Sequence, residues 1–398
     1  MKVQNQNQMS NELRVENENM EQPDQTLPTS SSLSLFSSSL LPPTNSWVGS
    51  PSSKLPFTFS RTANKHFTQK QQWPQYDGTK DLGCAFTHRP LFLKFQKQQL
   101  QAEHEEKNKN IVLLTADLGF GVFEEFEKQF PGQYFNVGVA EQNMTGVAVG
   151  LSLEGKKVIT YSIGNFPILR CLEQIRNDAC YHDTNITIVG SGGGFSYGAL
   201  GMSHHATEDL AILRALPYVT VVAPSSTWEA EEATKQLIQN GGVSYLRLDK
   251  TSYIEDTSNK TFSLGKSRKI KEGNDITLIS TGGILHDVMI AYYELIRLGI
   301  NARVLSMHTL KPIDKNAIIK AASQTGGIIT VEEHNKDGGL GSAVAEVCMD
   351  AEVFPKKFSR IGLNNIYSSI VGSQKYLKSR YEMDSESIIK TVLVTLNK

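Results

Sequence analysis

The stretch Tyr134-Phe-Asn-Val-Gly-Val-Ala-Glu-Gln-Asn-Met-Thr-Gly-Val-Ala-Val-Gly150 decides how the rest of the chain is read. A short apolar run with strand character delivers one acid, Glu141, to the start of a small-residue helix expected over 142–153. A carboxylate held there between apolar neighbours is costly unless it has a partner or a task. A plainer reading also stands, because an acid at a solvated helix N-terminus favours the macrodipole.

Outward from this stretch, β-rich runs recur at 111–114, 134–139, 157–161, 186–189, 219–222 and 244–248, with helical segments at 169–181, 208–216 and 228–239. Short apolar strands alternating with helices predict a parallel sheet covered on both faces. Ligands of such sheets bind at the carboxyl ends of the strands, and Glu141, Ser162, Gly190 and Asp249 fall at or just after them. A second alternation starts near Ile270, with strands at 276–280, 303–306 and 328–331 and helices at 287–298, 315–322 and 341–349. The polar stretch 250–269 reads as a linker. The expected fold class is α/β: two consecutive open, mostly parallel sheets with helices on both faces, in a first domain over 90–255 and a second over 270–398.

What precedes is different material. Residues 1–89 read as a disordered extension, rich in Gln, Asn, Ser and Pro as far as about residue 76, with a helix expected over 91–107. From Gln25 to Tyr76 there is no acidic residue, as in an organelle transit peptide, but Glu12, Glu16, Glu18, Glu21 and Asp24 spoil that match. Lys and Arg number 40 against 41 Asp and Glu, with no basic stripe, which argues against a nucleic-acid partner. No apolar run approaches the ~18 to 20 residues needed to span a bilayer. The four cysteines are scattered, without a Cys-x-x-Cys pair. That pattern argues against a disulfide framework or structural zinc and fits a reducing, cytoplasmic setting.

Two glycine runs follow strands, Gly190-Ser-Gly-Gly-Gly194 and Thr281-Gly-Gly283. Neither fits a Walker or dinucleotide fingerprint, so tight βα turns stand beside a phosphate cradle as readings. The first run leads to adjacent His204 and His205, then to capping-type residues Thr207 to Asp209 and a helix stopped by Pro217. A helix N-terminus keeps an imidazole neutral, able to donate at one nitrogen and accept at the other. A surface turn or half of a metal site remain open, although no further ligand lies at metal-binding spacing nearby.

Several motifs then act together: Leu114-Thr-Ala-Asp-Leu118, Val137-Gly-Val-Ala-Glu-Gln-Asn143, Glu173-Gln-Ile-Arg176, Ser203-His204 with Glu208-Asp-Leu210, and Val221-Val-Ala-Pro224. From about Asn108 onward the chain resembles the carboxyl-terminal half of transketolases, which in split transketolases is the second subunit. Deoxyxylulose-phosphate synthase and the β subunits of 2-oxoacid dehydrogenases share the domain order, but Val139-Ala-Glu-Gln-Asn143 is similar to the transketolase spelling. The resemblance implies thiamine diphosphate as cofactor, with Glu141 hydrogen-bonding N1′ of its aminopyrimidine so that the cofactor's own amino group takes up the proton of the reactive carbon. It further implies Phe166 stacked on the pyrimidine, Asp117 near the thiazolium, and His204 on the substrate's oxygens. His205 and Lys250 stand at neighbouring substrate positions. The implied reaction moves a two-carbon ketol unit from a ketose to an aldose; decarboxylative carboligation and a non-catalytic relative are the alternatives.

Departures from the family pattern cluster on the substrate side. Leu200 stands where an acid is usual, a glycine near Gly192 where a phosphate-contacting histidine is usual, and Lys250 where a phosphate-contacting arginine is usual. A lysine is a point charge where arginine is a bidentate fork, so an unusual sugar is expected. The family's Gly-Asp-Gly motif, which holds the diphosphate and Mg²⁺, does not occur in the sequence. The resemblance therefore implies a partner subunit carrying that motif and the Mg²⁺, in an α₂β₂ assembly with interfacial sites. The small residues Gly146, Ala148 and Gly150 are expected to permit close approach at that interface.

Overall fold

In a computed structural model of the chain, the described residues are 110–250, 253 and 261–398. The expected N-terminal extension, the helix at 91–107 and nine residues of the linker (251, 252 and 254–260) lie outside them. The first sheet is built from β1 (Ile111–Thr115), β2 (Tyr134–Asn136), β3 (Lys157–Ile163), β4 (Ile186–Ser191), β5 (Val219–Val222) and β6 (Val243–Leu248). The second uses β7 (Arg268–Lys271), β8 (Ile276–Thr281) and β9 (Ala302–Ser306), then β11 (Ile328–Asn335) and β12 (Phe358–Leu363). The short β10 (Thr309–Lys311) belongs by sequence to the second alternation, yet it pairs antiparallel with β5 at the edge of the first sheet. The strand orders are β10-β5-β6-β4-β3-β1-β2 and β12-β11-β8-β9-β7, and apart from β10 and β7 every pairing is parallel. Both sheets carry helices, so the expected α/β class holds.

The helices are α1 (Glu124–Gln129), α2 (Glu141–Leu153), α3 (Asp209–Ala215), α4 (Thr227–Asn240), α5 (Leu285–Arg297), α6 (Lys315–Gln324), α7 (Leu340–Asp350), α8 (Gln374–Arg380) and α9 (Ser385–Leu396). Among the described residues, none is long and apolar enough to cross a membrane. The expected helix at 169–181 is instead a turn at Phe166–Leu169, a second at Leu172–Gln174 and a π-helical segment, Ile175–Cys180. Pro167 starts the first turn early, since its missing N–H costs nothing there, and the breaks let Ile168, Cys171 and Ile175 all bury completely. On α2, Ala148 faces the core while Gly146 and Gly150 face outward with no atom near where a Cβ would stand. The small outward face thus consists of the two glycines without Ala148.

Three features join the two sheets. One hydrophobic cluster runs through Ile188, Val221 and Leu213 to Leu310, Ile318 and Val344. Arg268 of β7 donates to the fully buried Glu229 of α4 at 2.6 Å. At the far end, β11 continues four residues past its expected stop at Val331, and its Glu332, Glu333 and His334 are buried. Charges enter a strand interior only when partners await them, and those partners come from the first domain and from α7 and α8.

Candidate active site

The chain passes from β1 outward to β2 and then back to β3 on β1's other side. That reversal opens a crevice at the carboxyl ends of β1 and β3, the place where doubly wound sheets bind ligands. A cleft of roughly 340 Å³ occupies it, lined by Leu118, Phe120, Tyr161, Ile163, Tyr197 and Lys250 among others.

Glu141 is the first residue of α2, where the helix dipole favours a negative charge. It is 3 % exposed. Its Oε2 accepts from Nη1 of Arg170 at 3.0 Å, and the same guanidinium lies 4.5 Å from the centre of the Phe166 ring. Phe166 in turn meets the His204 ring edge-on at 5.2 Å. Glu141, Arg170, Phe166 and His204 therefore form one chain of contacts, and three of the four were expected from the sequence. Arg170 was not: it lies 29 residues from its glutamate, and the available signal was its placement four residues after Phe166, on the same face of a helical turn.

Loop anchoring places these groups. Asn165, itself buried, donates its amide to the carbonyl oxygens of Ser203 and His205, so the turn holding Phe166 is bound to the loop holding His204. Burial keeps the His204 imidazole below its ordinary pKa, which favours the neutral ring. His205 is buried. Its Nε2 lies 3.4 Å from the Gly198 oxygen, its ring packs edge-on against Phe195 at 5.0 Å, and burial lowers its pKa too. The structure thus separates the adjacent histidines, and places His205 in the interior of the loop where a substrate position was expected. The expected capping by Thr207 to Asp209 also differs: α3 has no side-chain cap, and Asp209 is buried against Arg247 and Tyr245.

Asp117 sits at the end of β1 with φ +54, a left-handed conformation that aspartate tolerates better than most residues. Asn136 holds it there, accepting from Asp117 N at 2.9 Å and from Gly138 N at 3.0 Å. Lys250 follows β6, its ammonium 3.9 Å above the Tyr197 ring. A side chain at Gly192 (φ +82) would collide with that same ring. The Tyr197 ring thus stands against both Gly192 and Lys250, the region of the departures noted from the sequence.

A flat, cationic hydrogen-bond donor is thus seated between a buried carboxylate and a phenyl face. The arrangement fits an aminopyrimidine, which is planar, donates to a carboxylate at one ring position and stacks.

Residues 95–255 match the transketolase pyrimidine binding domain and residues 265–388 the transketolase C-terminal domain. The chain is 36 % identical over 299 residues to one of the subunits of the apulose-4-phosphate transketolase of Phocaeicola vulgatus, covering 74 % of this chain and 95 % of that one. It is likewise 36 % identical over 293 residues to the 6-deoxy-6-sulfo-D-fructose transketolase subunit SqwH of a Clostridium species, covering 73 % and 90 %. A solved structure described as a split gene transketolase, inactive beta4 tetramer, superposes with a TM-score of 0.69 at 33 % identity, covering 78 % of this chain and 98 % of that one. The chain belongs to the transketolase family, of which it carries the pyrimidine-binding and C-terminal domains.

Proposed function

We propose that this chain is one subunit of a thiamine-diphosphate-dependent transketolase that moves a two-carbon ketol unit from a ketose to an aldose. The observation that carries the reading is the buried Glu141 facing a planar cation stacked on Phe166. When bound, the cofactor supplies the nucleophilic carbon and the electron sink. Glu141 holds a proton at the far ring nitrogen of the pyrimidine, and Phe166 orients the ring. His204, kept neutral by burial, donates to or accepts from the sugar oxygens. Asp117, at the end of β1, would lie on the thiazolium side of the bound cofactor. The diphosphate and its Mg²⁺ are held by a partner subunit carrying Gly-Asp-Gly, in an α₂β₂ assembly whose contact includes the outward Gly146 and Gly150.

Lys250 sits in a cleft whose walls are mostly apolar, and it suits one terminal anion on the sugar. The names of the two relatives carry a phosphate and a sulfo group, which supports a charged sugar. The test is reconstitution with a Gly-Asp-Gly-bearing subunit. A ketose and an aldose should exchange two carbons without gas release; CO₂ from pyruvate would move the chain to the carboligation class. In that system Lys250→Met should raise KM for anionic sugars roughly tenfold while leaving neutral sugars and kcat unchanged.

A further inference from the structure

The loop that carries His204 leaves after β4 and returns before α3. Its neck is closed by two backbone hydrogen bonds between Gly194 and Ala206, at 2.8 and 3.0 Å. The mould around that neck comes from the second domain. Glu333 of β11 accepts from Phe195 N at 2.6 Å, and the Gln374 amide donates to each of its carboxylate oxygens at 3.0 Å. Gly194, with φ +57, lets the backbone press so close that a Cβ would stand 2.6 Å from Glu333 Oε1. On the loop's outer side, Gly372 N donates to Gly198 O at 3.2 Å, and Asn335 N donates to Thr207 O at 2.9 Å beyond the neck. Arg247 binds the strand back to the first sheet, donating to Glu333 O at 2.9 Å while also holding Asp209 and Asp249.

The loop thus has two kinds of anchor. Asn165 holds it from within the first domain, beside Phe166, and Glu333 holds its root from the second. A carboxylate that fixes the first N–H of a loop fixes the direction in which the loop departs, and His204 lies nine residues along that path. We propose that Glu333 is a positioning residue for His204, so that the second domain forms part of the active-site machinery. The proposal rests on the role given to His204 above. Glu333 touches neither cofactor nor sugar; it acts through Phe195 and the loop.

Two measurements test this separately. In the reconstituted enzyme, Glu333→Ala should lower kcat roughly 100-fold, the scale of a misplaced catalytic group, with thiamine diphosphate affinity unchanged. Glu333→Gln, which keeps an acceptor for Phe195 N, should recover all but about fivefold of that loss. Independently of turnover, amide exchange over 194–206 of the chain should quicken at least about tenfold in Glu333→Ala, while β3 keeps its protection. If the alanine protein does not fold, Gln374→Ala removes the carboxylate's other partner and should give the same pattern, weaker. Unchanged exchange in the loop overturns the anchoring. Faster exchange with unchanged turnover overturns the positioning role and with it the part assigned to His204. Equal losses in the alanine and glutamine variants also defeat it, since a shared defect points to general packing.

Discussion

Glu141 and Glu333 are both 3 % exposed, yet the protein builds them in opposite ways. Glu141 begins a helix and is met by Arg170, whose side chain is 48 % exposed and lies on a short turn. Glu333 sits inside a strand and is met by a main-chain N–H and a neutral amide. Burial pushes Glu333 up to about 7. A carboxylate facing a half-exposed side chain can exchange that partner for another flat donor, because a side chain on a surface turn can swing aside without the main chain moving. A carboxylate facing main chain cannot exchange anything without moving the fold. Burial alone therefore does not mark a catalytic acid; a replaceable partner does.

The largest expected effect tests that contrast directly. Glu141→Gln keeps the shape of the side chain and removes its proton chemistry, so kcat of the reconstituted enzyme should fall by roughly 10² to 10⁴. The thermal melt of the chain should move by only a few degrees. Glu333→Gln should do far less to kcat. Two amide variants with equal kinetic losses would erase the distinction between the sites.

The next effect is on stability. Glu333 and the equally buried Glu332, which accepts from Leu340 N and Gly341 N, both rise from an ordinary 4.5 to about 7 on folding. The folded chain therefore binds more protons than the unfolded chain between those values. Each group's penalty is absent below about pH 4.5, grows as pH rises, and is complete above about pH 7, at about 3 kcal/mol. The buried His308 and His334 act in the opposite sense, since burial lowers them and so favours the folded state as pH rises. The informative quantity is thus the stability of Glu333→Gln minus that of wild type. In denaturant titrations it should increase from pH 5 to pH 8; a difference independent of pH would show that folding does not raise the Glu333 carboxyl.

The same contrast explains what was readable beforehand. Apolar β-branched runs announced the central strands, because they are buried on both faces and need no context. The edge strands β7, β10 and β12 were missed, being short or polar and made by pairing with strands distant in sequence. The strand expected at 328–331 continues through Glu332, Glu333 and His334. These residues form the strand's buried end, and partners distant in sequence, from the first domain's Arg247, Asp209 and Phe195 and from α7 and α8, make that tolerable. Glu141, Phe166 and His204 were visible through family spelling. Arg170 and Glu333 were not, because their roles exist only as contacts between segments.

The smallest effect concerns Arg170 itself. Arg170→Met keeps an apolar stem against Phe166 and removes the charge facing Glu141. Because Glu141 is buried and only Arg170 reaches solvent, the chain without cofactor should lose about 1 to 3 kcal/mol, a melting shift of roughly 2 to 10 °C. If the guanidinium occupies the seat that the pyrimidine takes over, saturating thiamine diphosphate in the reconstituted enzyme should shrink that shift, because Glu141 then has the same partner in both proteins. Melts of wild type and variant with and without cofactor read this directly. A shift that persists undiminished at saturation would mean that Arg170 stays on Glu141 during the reaction. The glutamate would then be a fixed ion pair, as little exchangeable as Glu333.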